Sequence, residues 1–241
     1  MGEAVRSPRE RYREQVRDEV KTHAWAQVAI TGAAAALSLN AIARQMGISG
    51  PALYRYFRNR DELITELVLD AYRDLSATCR GAVTRGGPPR ARLTAVATAM
   101  RQWALAAPHR YLLIYGTPVP GYQAPPEATE LAATVMTILL DAFAEAETPA
   151  AGSAVAAAAF DRHLEEGHRS WAVGHPARPD ALRRALAFWT RLHGVVSLEV
   201  AGHFTGMGFD PALLYAAEVE AAIGLPGWSP DSQPRMLRQR G

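Results

Sequence analysis

The sequence predicts an all-α protein, and three observations carry that prediction. Apolar residues recur four apart, as in Val16, Val20, Ala24 and Val28, the stripe of an amphipathic helix. Alternation of β-branched and aromatic residues is nearly absent, and no Asn-Gly or Asp-Gly hairpin signal occurs. Glycines, prolines and capping residues punctuate the chain at helix-length intervals. With 241 residues, 49% of them hydrophobic, the chain can bury a sizeable core.

The elements follow in order. Residues Arg9 to Ile30 make the first helix, with Gly32 as its stop. Ser38 caps a second helix that carries Leu39, Ile42, Ala43 and Met46 and ends at Gly47. Ser49 caps a third, with Gly50 and Pro51 in its first turn, where proline costs little. Asn59 caps a fourth that runs to about Val83. Asp61 and Glu62 in its first turn suit the helix dipole. The stretch TRGGPPRAR reads as a hinge. Beyond it, helices are predicted over Leu93–Ala106, His109–Ile114, Ala128–Glu147, Ala154–Val173, Asp180–His203 and Pro211–Ile223. GTPVPGYQAPPEA and GHPARP are loops. Residues 1–8 form a disordered arm and 225–241 a flexible tail.

Composition narrows the function. The net charge of +2 selects no partner. A single cysteine, Cys79, rules out an internal disulfide and suits a reduced, cytoplasmic setting. The charged N-terminal segment lacks the apolar run of a secretory signal, and no stretch has the length to span a membrane. GxGxxG, Walker, GxSxG and CxxC patterns are absent, so nothing points to an enzyme or a bound cofactor. His163 and His168 flank Glu165 and Glu166. On one continuous helix a spacing of five sets the two rings about 140° apart, so no metal is expected there.

Ser38 to Phe57 has the form helix, tight glycine turn, helix. Ala43 is the small residue at the helix crossing, and Gly47 tolerates left-handed φ. Leu53 and Phe57 point inward, four apart. That leaves Gly50, Pro51, Ala52, Tyr54, Arg55 and Tyr56 for the major groove and its phosphates. Ser38, Arg44, Ser49 and Arg60 complete the DNA-binding set. A helical hairpin inside another all-α fold would waste Tyr54, Arg55 and Tyr56 as three consecutive outward positions. Arg6, Arg9, Arg11 and Arg13 form either a DNA arm or a solvated helix end; Glu10 and Glu14 dilute their charge.

The run LSLNAIARQMGISGPALYRYFRNRDELI resembles the DNA-binding half of the tetracycline-repressor-like (TetR) family of bacterial regulators, over roughly Glu14 to Leu75. Family members often carry His where Tyr56 stands and Lys where Arg60 stands. FWTRLHGVVSLEVAGHF is similar to a subgroup with a Trp-His-Gly signature, here Trp189, His193 and Gly194. The resemblance implies a three-helix head at 9–75 and a larger helical domain at 76–224 that binds a small-molecule effector and forms a homodimer. It further implies a palindromic operator and, most often, repression. Trp103, Tyr111, Tyr115, Trp171, Trp189 and His193 are candidates for the effector pocket, though a packing site, with a buried hydrogen bond from His193, is the favoured reading of Trp189, His193 and Gly194. Val195, Leu198, Leu213 and Leu214 are candidates for the dimer interface. The alternative function is a helical interaction protein that keeps the head without operator recognition; an all-α enzyme with a pocket near Trp189 and His193 is a third reading.

Overall fold

The computed structural model describes residues 7–32, 34–83, 87–146, 155–172 and 174–224. All regular structure among them is helical: α1 Pro8–Thr31, α2 Leu39–Gln45, α3 Gly50–Leu53, α4 Arg60–Ala82, α5 Pro89–Ala106, α6 Pro108–Tyr115, α7 Pro126–Glu145, α8 Val155–Glu165, α9 Pro179–Val200 and α10 Pro211–Gly224. One-turn 3-10 helices occur at Ala34–Ala36 and Ser170–Ala172. The expected tail at 225–241 and most of the expected arm lie outside the described residues; Ser7 and Pro8 open α1.

The chain forms two compact units. One comprises Met1–Thr78 and Gln102–Ala132, the other Cys79–Arg101 and Ala133–Gly241. The divisions fall within α4, α5 and α7.

In the first unit, α1 begins with a reciprocal cap. The Glu10 amide donates to the Ser7 hydroxyl at 3.3 Å, and the Ser7 amide donates to the Glu10 carboxylate at 2.7 Å. The stripe Val20, Ala24 and Val28 is buried, and Gly32 closes the helix with φ +68°. These residues share one core with Leu39, Ile42 and Ala43 of α2, Leu53 of α3, Phe57, and Leu63, Ile64 and Leu67 of α4. Each large apolar side chain fully buried here is worth about 1.5–3 kcal/mol.

In the second unit, α9 supplies a broad buried face, including Leu182, Ala185, Phe188, Leu192, Val195 and Val196. It packs against α8 and α10. Phe188 meets Phe143 of α7 edge to face, ring centroids 5.6 Å apart. Arg183 pairs with Asp161 of α8 at 2.7 Å, and Arg191 with Glu218 of α10 at 3.2 Å. The Tyr215 hydroxyl donates to the Ala97 carbonyl at 2.8 Å. The helix expected over Ala154–Val173 is broken: α8 ends at Glu165 and the chain turns at Gly167, φ +100°. Alanine-rich propensity had favoured continuity, but a left-handed glycine ends the helix.

Candidate DNA-binding site and effector cavity

The helix-turn-helix is built from local signals. The Ser38 hydroxyl accepts from the Ala41 amide, and the Ser49 hydroxyl from the Ala52 amide, each at 3.3 Å. Between them Gly47 adopts φ +67°. Gly50 has a second constraint, since a Cβ there would sit 3.1 Å from the Asn40 side-chain oxygen. It therefore fits the start of α3 closely onto α2. Regular helix stops at Leu53, short of the expected Phe57, and Tyr54–Tyr56 continue as turns. The Tyr56 and Phe57 amides both donate to the Leu53 carbonyl, at 2.8 and 3.2 Å.

Leu53 and Phe57 are fully buried and hold this segment down. Ser38, Arg44, Ser49, Pro51, Tyr54 and Arg55 are exposed. Gly50, Ala52 and Tyr56 are half-buried, and Tyr56 packs partly against the core. The Arg60 guanidinium donates to the Ala35 carbonyl at 3.0 Å, so its first role is to tie the start of α4 to the loop before α2. Arg9, Arg11 and Arg13 lie within α1 and are exposed, while Arg6 lies outside the described residues.

Sequence reading missed the residue that organises this region. Arg17 of α1 donates to the Tyr56 carbonyl and to the Glu66 carboxylate of α4, the latter at 2.9 Å. Its guanidinium also stacks over Phe57, 4.2 Å from the ring centroid. Glu62 takes the Arg58 amide at 2.7 Å. Burial pushes the Glu62 carboxyl up, but the bonds from Arg58 and the Arg58 and Arg17 charges outweigh it, so its pKa lies below the ordinary value. Asn59 caps α4 by accepting the Glu62 amide at 2.8 Å.

The six expected pocket residues divide between the units. Trp103, Tyr111 and Tyr115 belong to the first, Trp171, Trp189 and His193 to the second. The Trp103 indole donates to Asp74 at 3.0 Å, and Tyr111 is fully buried beside Tyr115, ring centroids 5.2 Å apart. The His193 ring meets Trp189 at 3.9 Å, and burial lowers its pKa to about 4.

A cavity of about 230 Å³ does open in the first unit, and none of those six residues lines it. Its walls come from Val68 and Tyr72 of α4, Leu113 and Ile114 of α6, Tyr122 of the following loop, and the first turns of α7. The Tyr122 hydroxyl lies 3.2 Å from that of Thr65 in α4. Tyr122 also lines an open polar groove beside Arg58, Asp61, Glu62 and Glu66. The only sequence signal for it was an aromatic residue inside a Pro/Gly-rich loop.

The four interface candidates are placed as follows, and one further expectation changes. Leu198 and Leu213 are exposed and Leu214 half-buried, but Val195 is 8% exposed and packs inside its own unit. His163 and His168 are not on one helix, because the chain leaves α8 after Glu165. Their rings stack at 4.0 Å beside Glu166, all three on the exposed surface. The 140° separation therefore does not apply.

Comparison with known proteins agrees with this head. Residues 24–67 match the model of bacterial regulatory proteins of the tetR family, and residues 93–222 match the tetracyclin repressor-like C-terminal domain. HTH-type transcriptional regulators of Mycobacterium tuberculosis and Mycobacterium bovis are 36% identical over 204 residues, spanning 80% of this chain and 84% of theirs. The crystal structure of SCO4313, described as a regulatory protein, is 57% identical with a TM-score of 0.79, covering 91% of this chain and 100% of that one. A tetR-family regulatory protein from Rhodococcus RHA1, 16% identical with a TM-score of 0.59, shares the fold over 86% of this chain and 94% of its own. No helix among the described residues is long and apolar enough to cross a membrane. The chain belongs to the tetR family: it is a DNA-binding helix-turn-helix transcriptional regulator, not an enzyme.

Proposed function

We propose that this regulator is a cytoplasmic homodimeric repressor that binds a near-palindromic operator and leaves it when a small-molecule effector binds. The observation that carries this reading is the mounting of the recognition segment. Leu53, Phe57 and Arg17 fix Gly50–Tyr56 to the rest of the head, with Tyr54 and Arg55 left in solvent. Short residues at the start of α3 allow close approach to base edges, while Tyr54 and Arg55 suit phosphates. A two-fold dimer sets two such segments about one DNA turn apart. Exposed Leu198 and Leu213 support a dimer surface on α9 and α10. Effector controls affinity only through its different affinity for operator-competent and incompetent geometries.

The test is a mobility shift on the fragment upstream of the protein's own coding region, at fixed salt. Wild type binds, Arg55→Ala binds more weakly, and its salt slope falls by about one. Equal binding by Arg55→Ala contradicts the assigned contact.

A further inference from the structure

We propose that His163, Glu166 and His168, at the end of α8 and in the turn after it, form a binding site for a divalent transition metal of the zinc class, with the remaining coordination positions open to water. The site lies outside the DNA-binding head and stands independently of the regulator reading above.

The turn after α8 brings the ligands together. The helix ends at Glu165, and Gly167, at φ +100°, takes the left-handed conformation that folds the chain back. His168 is thereby laid on His163, ring centroids 4.0 Å apart and planes 6° from parallel. One ligand atom from each of His163, Glu166 and His168 falls within 4.8 Å of the other two. Spacings of three and five on an uninterrupted helix would not converge in this way. All three residues are exposed, so an ion reaches them without any opening of the fold.

The same turn fixes a tautomer. His168 Nδ1 lies 3.1 Å from the His163 carbonyl oxygen. A carbonyl only accepts, so Nδ1 carries the proton and Nε2 keeps its lone pair. A backbone carbonyl on the second ring nitrogen is how metal-ligating histidines are oriented. The other ring is also held, since His163 stacks on Phe160 of α8 with centroids 6.3 Å apart.

Chemistry selects the ion. Two imidazoles and one carboxylate suit zinc and its borderline neighbours, whereas magnesium and calcium take oxygen ligands. Bonds of about 2.0–2.1 Å set ligand atoms about 3.3 Å apart around a tetrahedral ion, so the widest pair must close by about 1.5 Å. An ion lies in the plane of each ring that binds it, and two parallel rings cannot both aim at one ion. Binding therefore opens the stack. His168 is held by the His163 carbonyl, so the His163 side chain is the one that turns. The bound ion ties the end of α8 to the chain that leads to α9.

The test uses the untagged full chain and zinc chloride, followed by calorimetry and by histidine nitrogen NMR. One zinc per chain is expected, with micromolar affinity that millimolar magnesium does not displace. His163→Ala and His168→Ala each weaken binding at least tenfold, because losing a ligand costs no less than the 10–100-fold of losing a group that orients one. Gly167→Val keeps all three ligands but puts a β-branched residue at positive φ, and it weakens binding at least threefold. His203→Ala, at an exposed histidine outside the cluster, leaves affinity unchanged. Circular dichroism is unchanged in all four variants. Before zinc is added, His168 shows the Nδ1–H tautomer; on addition its Nε2 signal shifts together with one ring nitrogen of His163. Absence of saturable binding, one zinc per two chains, full affinity in His168→Ala or Gly167→Val, an equal loss in His203→Ala, or an Nε2–H tautomer at His168 each overturns the proposal.

Discussion

The Arg17 guanidinium of α1 lies 2.9 Å from the Glu66 carboxylate of α4, and it donates at the same time to the Tyr56 carbonyl. One side chain thus joins the first helix, the end of the recognition segment and the start of the helix that follows. Both partners of the ion pair are less than one-third exposed, so the pair exceeds an ordinary surface bridge. Arg17→Ala should destabilise the chain by about 1–3 kcal/mol, since a charged hydrogen bond and a backbone acceptor are both lost. Thermal melting at neutral pH reads this, and a shift below 1 °C contradicts the assigned role.

Gly47 should not tolerate a side chain. Its φ of +67° is the left-handed region, and a Cβ there meets no atom within 4 Å. The cost of Gly47→Ala is therefore backbone alone, about 1–2 kcal/mol. Denaturant unfolding of Gly47→Ala measures it, and a near-zero difference denies the tight-turn geometry.

Much of the head was legible because its signals are local. Ser38, Ser49 and Asn59 cap amides three positions ahead, and Gly47 turns the chain where it stands. The organising contacts were not legible, because they join distant stretches. Arg17 and Glu66 are 49 residues apart, and Thr65 and Tyr122 are 57 apart. Nothing in either local pattern demands the partner. The cavity of the first unit was not legible for the same reason. Large aromatics such as Trp103 and Tyr111 are found at the core of their unit, while the cavity wall is mostly small residues and short aliphatics. The burial of Val195 was not legible because the buried face of α9 is broader than a single stripe.

Two substitutions on the last helices should separate packing from association. Val195→Glu places a carboxylate where the side chain is 8% exposed, and the melting temperature should fall by roughly 10 °C. Leu213 is 70% exposed, so Leu213→Glu should keep its helical content and sediment as a monomer at concentrations where wild type is a dimer. A dimeric Leu213→Glu removes α10 from the proposed interface.

Stability should fall in mild acid through His193. Burial lowers its folded pKa from 6.5 to about 4, so between those values the unfolded chain binds a proton that the folded chain does not. The contribution is fully present above pH 6.5 and is lost as pH falls toward 4, amounting to about 3 kcal/mol. Unfolding followed from pH 7 to pH 4 should show this loss in wild type and a flatter profile in His193→Gln. Parallel profiles contradict the assignment.

The central claim is that Gly50–Tyr56 reads a major groove in each of two symmetry-related half-sites. Hydroxyl-radical footprinting of the upstream fragment tests it most directly. The prediction is two protected patches about 10 base pairs apart, or a multiple of that spacing, both lost in Tyr54→Ala at unchanged helical content. A single unpaired patch, or protection that persists in Tyr54→Ala, contradicts it.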